Sequence, residues 1–132
     1  MAKIIICEDD FIAQEVARVM VEKIGHIPII SPNGKHALDT LEVNRDISLL
    51  ITDMMMPVMN GTELVQIIRG NVGYDDLPII MVSGILGVND IAGLLDLGAT
   101  LFQPKPLDED LFIENVSVCV AQYQKARIAS LC

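Results

Sequence analysis

Positive charge is scarce in this chain. Nine Lys and Arg stand against eighteen Asp and Glu over 132 residues, a formal net charge of −9. Such a surface repels phosphate backbones and anionic lipid, which argues against direct nucleic-acid binding and membrane insertion. No apolar run approaches the ~20 residues that span a bilayer, and no charged-then-apolar leader pattern opens the chain. Cysteine is sparse and unpatterned: Cys7, Cys119 and Cys132 form no CxxC and no Cys/His ligand spacing. This usage fits a reducing compartment, hence a cytoplasmic location, with each thiol a small hydrophobe. Tryptophan is absent, and only three Phe and two Tyr are present. Linkers, repeats and low-complexity tracts are also missing, so the length reads as one domain, 1–132.

What remains is rich in Ile, Val, Leu and Met, and 52% of the chain is hydrophobic. That excludes a disordered acidic tail and suits strands buried on both faces. Short apolar runs alternate with longer amphipathic ones. The predicted strands are Lys3–Cys7, Ile27–Ile30, Ser48–Thr52, Leu77–Val82 and Ala99–Gln103. Between and after them, helices are predicted over Phe11–Ile24, Asn33–Val43, Thr62–Arg69, Asn89–Leu97 and Leu107 to about Ala129. Ile12, Val16, Val19, Met20 and Ile24 recur at helical spacing in the first helix, while Arg18 and Lys23 fall on its exposed face. Gly70–Asp76 reads as a loop. Five βα units with short connections imply an α/β fold, a parallel sheet with helices on both faces. Pro104 makes the fifth strand an edge, because proline lacks the amide that a central ladder needs.

In open α/β sheets, ligands bind beyond the carboxyl ends of the strands. The polar residues there are Glu8, Asp9 and Asp10 after the first strand, Asp53 after the third, Ser83 after the fourth and Lys105 after the fifth. Several carboxylates at one edge oppose each other's ionisation, and a divalent cation relieves that. Oxygen ligands without His or Cys point to Mg²⁺, with Mn²⁺ as the alternative. Adding a lysine and a hydroxyl gives the parts of a phosphoryl-transfer site with an Asp nucleophile. Asp10 reads as a helix cap rather than a ligand. Met54, Met55 and Met56 read as flexible packing, and His26 and His36 as surface residues with no partners at metal-ligand spacing.

The segments IIICEDDF, LLITDMMMPVMNG, IIMVSG and GATLFQPKP, in this order and spacing, resemble the receiver domain of bacterial two-component response regulators. The resemblance spans the whole chain. It implies a flavodoxin-like, doubly wound (βα)5 fold with strand order 2-1-3-4-5. It implies that Asp53 is the phosphoacceptor, and that Glu8 and Asp9 bind the metal together with Asp53 and the backbone carbonyl of Met55. It further implies Ser83 as the switch hydroxyl, Lys105 as the contact to the phosphoryl group, a cis Lys105–Pro106 peptide and Phe102 as the rotating aromatic. The implied partners are a histidine kinase or His-phosphotransfer protein and a downstream protein target.

Three features depart from that pattern. Phe102 lacks the hydroxyl of a tyrosine, and Pro104 stiffens the approach to Lys105. Met55 and Ile85 flank the phosphoryl position with apolar side chains that cannot orient water, so self-dephosphorylation should be slow. Gly87, Gly93 and Gly98 weaken the fourth helix by roughly 1 kcal/mol per interior glycine. The surface of helix four, strand five and helix five is therefore the expected switch. The expected product is a signalling switch rather than an enzyme, either stand-alone or cut from a larger regulator, and a monomer or weak dimer. Two alternatives remain. One is a pseudo-receiver that binds partners without phosphorylation. The other is a Mg²⁺-dependent phosphohydrolase, for which Met55 replaces the general acid such enzymes usually carry two residues past the nucleophile.

Overall fold

The computed structural model describes residues 1–84 and 88–130. Five strands, β1 (Lys3–Cys7), β2 (Ile27–Ser31), β3 (Ile47–Asp53), β4 (Ile79–Ser83) and β5 (Leu101–Pro104), alternate with five helices. The helices are α1 (Phe11–Lys23), α2 (Gly34–Val43), α3 (Gly61–Arg69), α4 (Val88–Asp96) and α5 (Glu109–Ser130). The strands pair in parallel in the order β2-β1-β3-β4-β5. This is the expected flavodoxin-like α/β arrangement, with β3 central and β5 at an edge. Residues 72–74 form a 3₁₀ turn inside the stretch predicted as loop. Ile85 and Gly87, and the terminal Cys132, lie outside the described residues.

Alternation along the strands explains why nearly every strand residue is apolar. Ile5, Cys7, Leu50, Ile79 and Met81 face α2, α3 and α4, where they meet Ala37, Leu41, Leu64, Val65, Ile68 and Leu94. Their neighbours Ile4, Ile6, Leu49, Ile51, Ile80 and Val82 face α1 and α5, against Ala17, Val21, Phe112, Val116 and Cys119. A sheet buried on both faces cannot show the one-sided pattern of an exposed sheet. No helix among the described residues is long and apolar enough to cross a membrane.

The apolar stripe of α1 is the main departure from expectation. Ile12, Val16 and Val19 are 72%, 42% and 55% exposed, and Phe11 is 70% exposed. The helix instead buries Ala17 and Val21, with Met20 and Ile24 partly covered. Small residues let α1 lie close to the sheet, which turns the longer side chains outward. Arg18 pairs with Glu15 and Glu22 on the same helix, and Lys23 reaches Glu109 at the start of α5.

Candidate functional site

The carboxyl ends of β1, β3, β4 and β5 converge because parallel strands all point the same way. Asp53 ends β3, opposite Val82 of β4, and Ser83 follows opposite Pro104 of β5. One residue further, the Lys105 amide donates to the Ser83 carbonyl at 2.7 Å. The Lys105–Pro106 peptide is cis, as the sequence resemblance implies. Lys105 points its ammonium back across the strand ends. Its Nζ donates to Glu8 Oε1 at 2.8 Å and to Asp53 Oδ2 at 3.2 Å.

Carboxylate oxygens of Glu8, Asp9 and Asp53 lie within 4.8 Å of one another. Glu8 is buried, and its Oε2 accepts from the Asp9 amide at 3.0 Å. Asp9 is exposed and Asp53 half-buried. Asp10 caps α1, its side chain accepting from the Ala13 amide at 2.8 Å, as its reading as a cap requires. Ser83 is buried at the strand end. Phe102, one strand over, is half-buried against the α2–α4 side of the core. Met55 stands in the loop between β3 and α3, and its side chain is 73% exposed.

One ammonium among three carboxylates leaves the edge short of positive charge. Burial pushes the Glu8 carboxyl up to about 7; the Lys105 hydrogen bond opposes the rise and the Asp53 carboxylate adds to it. Burial works against the charge on Lys105, but Glu8 and Asp53 outweigh it and hold the ammonium above the ordinary lysine range. An oxygen-only donor set with excess negative charge is the kind that takes a hard divalent cation.

Several residues to which the sequence reading assigns no chemical role support the site. Gln14 donates through Nε2 to the Glu8 carbonyl at 2.7 Å and so fixes the turn that leads into α1. Thr52 Oγ1 donates to the Asp53 carbonyl at 3.0 Å. Gly61 lies so close to Asp53 that a Cβ would stand 2.3 Å from its carbonyl oxygen. Its amide also donates to the Met54 carbonyl, folding the 54–60 loop over the strand end. Val58 in that loop has φ +69°, a strained value for a β-branched residue. The two histidines, outside the acidic cluster, make local hydrogen bonds. His26 Nδ1 accepts from the Ala2 amide, and His36 Nδ1 bonds Ser31 Oγ at 2.9 Å, because each ring sits beside a strand end. Beside the acidic cluster, Ile12, Val16, Ile51, Val82, Pro106 and Leu107 line a hollow of about 230 Å³.

Residues 4–117 match the response regulator receiver domain family. The chain is 31% identical over 115 residues to the chemotaxis protein CheY homolog of Campylobacter jejuni, covering 86% of this chain and 88% of that protein. Among solved structures, it is similar to the signal receiver domain of a signal transduction histidine kinase from Syntrophus aciditrophicus. That similarity has a TM-score of 0.84 and 26% identity, over 92% of this chain and 91% of the other. The chemotaxis protein CheY4 of Vibrio cholerae shares the fold at a TM-score of 0.83 and 24% identity, over 90% of this chain and 98% of the other. Receiver domains generally bind Mg²⁺ at an acidic pocket, and Glu8, Asp9 and Asp53 supply the oxygen donors for one. The fold, the strand-end carboxylates and these similarities together place the chain in the response regulator receiver family, as a CheY-like receiver domain.

Proposed function

We propose that this domain accepts a phosphoryl group on Asp53 from a histidine kinase or His-phosphotransfer protein and thereby switches a protein-binding surface. The observation that carries this reading is the Glu8, Asp9 and Asp53 oxygen cluster with Lys105 bridging two of its members. In the proposed step an Asp53 carboxylate oxygen attacks phosphorus in line. The P–N bond to the donor histidine breaks, and the imidazole leaves with the bonding pair. Lys105 is already within hydrogen-bond distance of that carboxylate, so its ammonium offsets the charge arriving on the phosphoryl oxygens. Glu8, Asp9, Asp53 and the Met55 carbonyl would hold Mg²⁺, which would supply positive charge to offset that of the phosphoryl oxygens.

After transfer, the Ser83 hydroxyl donates to a phosphoryl oxygen, drawing the end of β4 toward Asp53. Phe102 turns inward behind it, and the α4–β5–α5 surface changes. Gly93 inside α4 keeps that helix easy to deform. The outward apolar stripe of α1 beside the hollow supports docking of the phosphodonor there. Met55, apolar and unable to carry a proton, argues against turnover of external phosphoesters; the domain is proposed as a switch rather than an enzyme. Working beside a cytoplasmic kinase domain, it would act in the cytoplasm, without nucleic acid of its own.

Incubation with acetyl phosphate and Mg²⁺, read by intact mass, tests this. A gain of about 80 Da, one phosphoryl group, is expected in the native chain and not in Asp53→Ala. No gain in either protein would favour a pseudo-receiver, and rapid phosphate release without an adduct would favour a hydrolase. Hydrogen exchange with and without a phosphoryl mimic tests the switch. Faster exchange in α4 or β5 is expected, and equal protection in both states counts against it.

A further inference from the structure

The chain has seven methionines, and four of them fall in residues 54–59 beside the phosphoacceptor. They differ sharply in exposure. Met81 is fully buried, and Met54, Met56 and Met59 pack half-buried against the core. Met56 is tied down further, its Sδ lying 3.4 Å from the Cys7 thiol. Met55 is 73% exposed, and among the described residues only the terminal Met1 is a more open methionine. The two described thiols are poor competitors for an oxidant. Cys7 and Cys119 are buried and burial pushes them up to about 12 and about 11, so neither offers the reactive thiolate.

We propose that Met55 is a redox-modification site through which hydrogen peroxide shortens the life of the phosphorylated state. This inference rests on the proposed function of Asp53. In the step, a lone pair on Met55 Sδ attacks one peroxide oxygen. The S–O bond forms, the O–O bond breaks, and the departing hydroxide takes the proton of the new S–OH and leaves as water. The sulfur is oxidised by two electrons and the peroxide is reduced. A thiol-dependent sulfoxide reductase would reverse the change. The consequence follows from hydrogen-bonding capacity. A thioether two residues from the acyl phosphate is a weak acceptor and holds no water there. A sulfoxide oxygen is a strong acceptor on the same exposed side chain, and it can orient a water toward phosphorus. The expected acceleration is about fivefold, below the ~10²-fold of a full general base, because the sulfoxide orients water without taking its proton.

The experiment uses the full chain carrying Cys132→Ser, which removes the third thiol. Limited hydrogen peroxide followed by peptide mapping should place about +16 Da, one oxygen, on Met55 before Met54, Met56, Met59 or Met81. Oxidation of those four ahead of Met55 would overturn the site. The protein is then phosphorylated with acetyl phosphate, and the adduct is followed by mass as it decays. Oxidised protein should lose it about fivefold faster than unoxidised protein. Met55→Leu should decay at one rate before and after peroxide, and Met55→Gln should decay faster without any peroxide. An oxidised Met55 with unchanged decay overturns the inference alone, as does equal acceleration in Met55→Leu. Failure of the unoxidised protein to take up a phosphoryl group overturns the reading of Asp53 and this inference with it.

Discussion

Strands β1 and β3 carry charge at both ends, and the two ends handle it in opposite ways. At the amino end, Lys3 and Asp46 pair one to one at 2.9 Å, with Lys3 half-buried and Asp46 exposed. At the carboxyl end, Lys105 serves Glu8 and Asp53 at once, and the Glu8 side chain is only 7% exposed. The same backbone thus supports a balanced, solvated pair below and an unbalanced, buried cluster above. Balanced exposed pairs contribute little to stability. An unbalanced buried cluster is held at a cost, and in the proposed function a bound divalent cation would remove part of that cost.

The largest expected contrast is in phosphoryl uptake. Lys105→Ala should slow uptake from acetyl phosphate on the order of 10²-fold, since it removes the ammonium that bonds the reacting carboxylate. Lys3→Ala, at the far end of the sheet, should leave uptake within about twofold of the native rate. A comparable loss in both variants would break the comparison. Next comes packing. Gly61→Ala should destabilise by about 2–3 kcal/mol in thermal unfolding, because its Cβ has no room beside the Asp53 carbonyl. Gly25→Ala, in the turn before β2, meets nothing within 4 Å. It should cost only about 1 kcal/mol, for the positive φ alone.

The pH dependences should have opposite signs at the two ends. Burial raises the Glu8 carboxyl from 4.5 to about 7. Its contribution to stability is therefore fully present below pH 4.5 and is lost as pH rises toward 7. With divalent cations removed, Glu8→Gln should gain about 1 kcal/mol over the native chain at neutral pH and nothing at pH 4.5. At the amino end, burial lowers His26 from 6.5, and its ring accepts from the Ala2 amide. Its contribution is present above pH 6.5 and is lost on acidification, so His26→Gln should flatten that limb of the curve. Smallest of all is the exposed pair: Lys3→Met should leave the unfolding midpoint unchanged in high salt and nearly so in low salt.

Fold and site differed in how much of each was legible in the sequence. Strand positions could be read because buried parallel strands are short, continuous apolar runs between breakers, as in β3 with Ile47–Thr52 all buried, whereas the strand order came from the family resemblance. The strand-end residues were legible for the same reason, since a carboxylate or lysine directly after such a run has one place to go. Helix α1 misled because periodicity reports an apolar stripe without saying which way it faces. Ile12, Val16 and Val19 have the spacing of a core face, yet Ala17 and Val21 take the core. Gln103 on β5 was also opaque: fully buried, it accepts from Asn115 Nδ2 at 3.1 Å across to α5, a contact set by tertiary packing. Arg69 shows the same limit. It was only the end of a predicted helix, but its guanidinium bonds the carbonyls of Gly98 and Tyr74 and ties α3 to the start of β5.

The central claim is that the unbalanced carboxyl edge delivers phosphoryl chemistry to one atom group, the Asp53 carboxylate. Borohydride reduction of the protein after treatment with acetyl phosphate and Mg²⁺ tests it most directly, because it converts an aspartyl phosphate into homoserine at its own position. Peptide sequencing by mass should find homoserine at position 53 and leave Glu8, Asp9 and Asp10 intact. Reduction at any of those three acids, or at none of the four, would contradict the account.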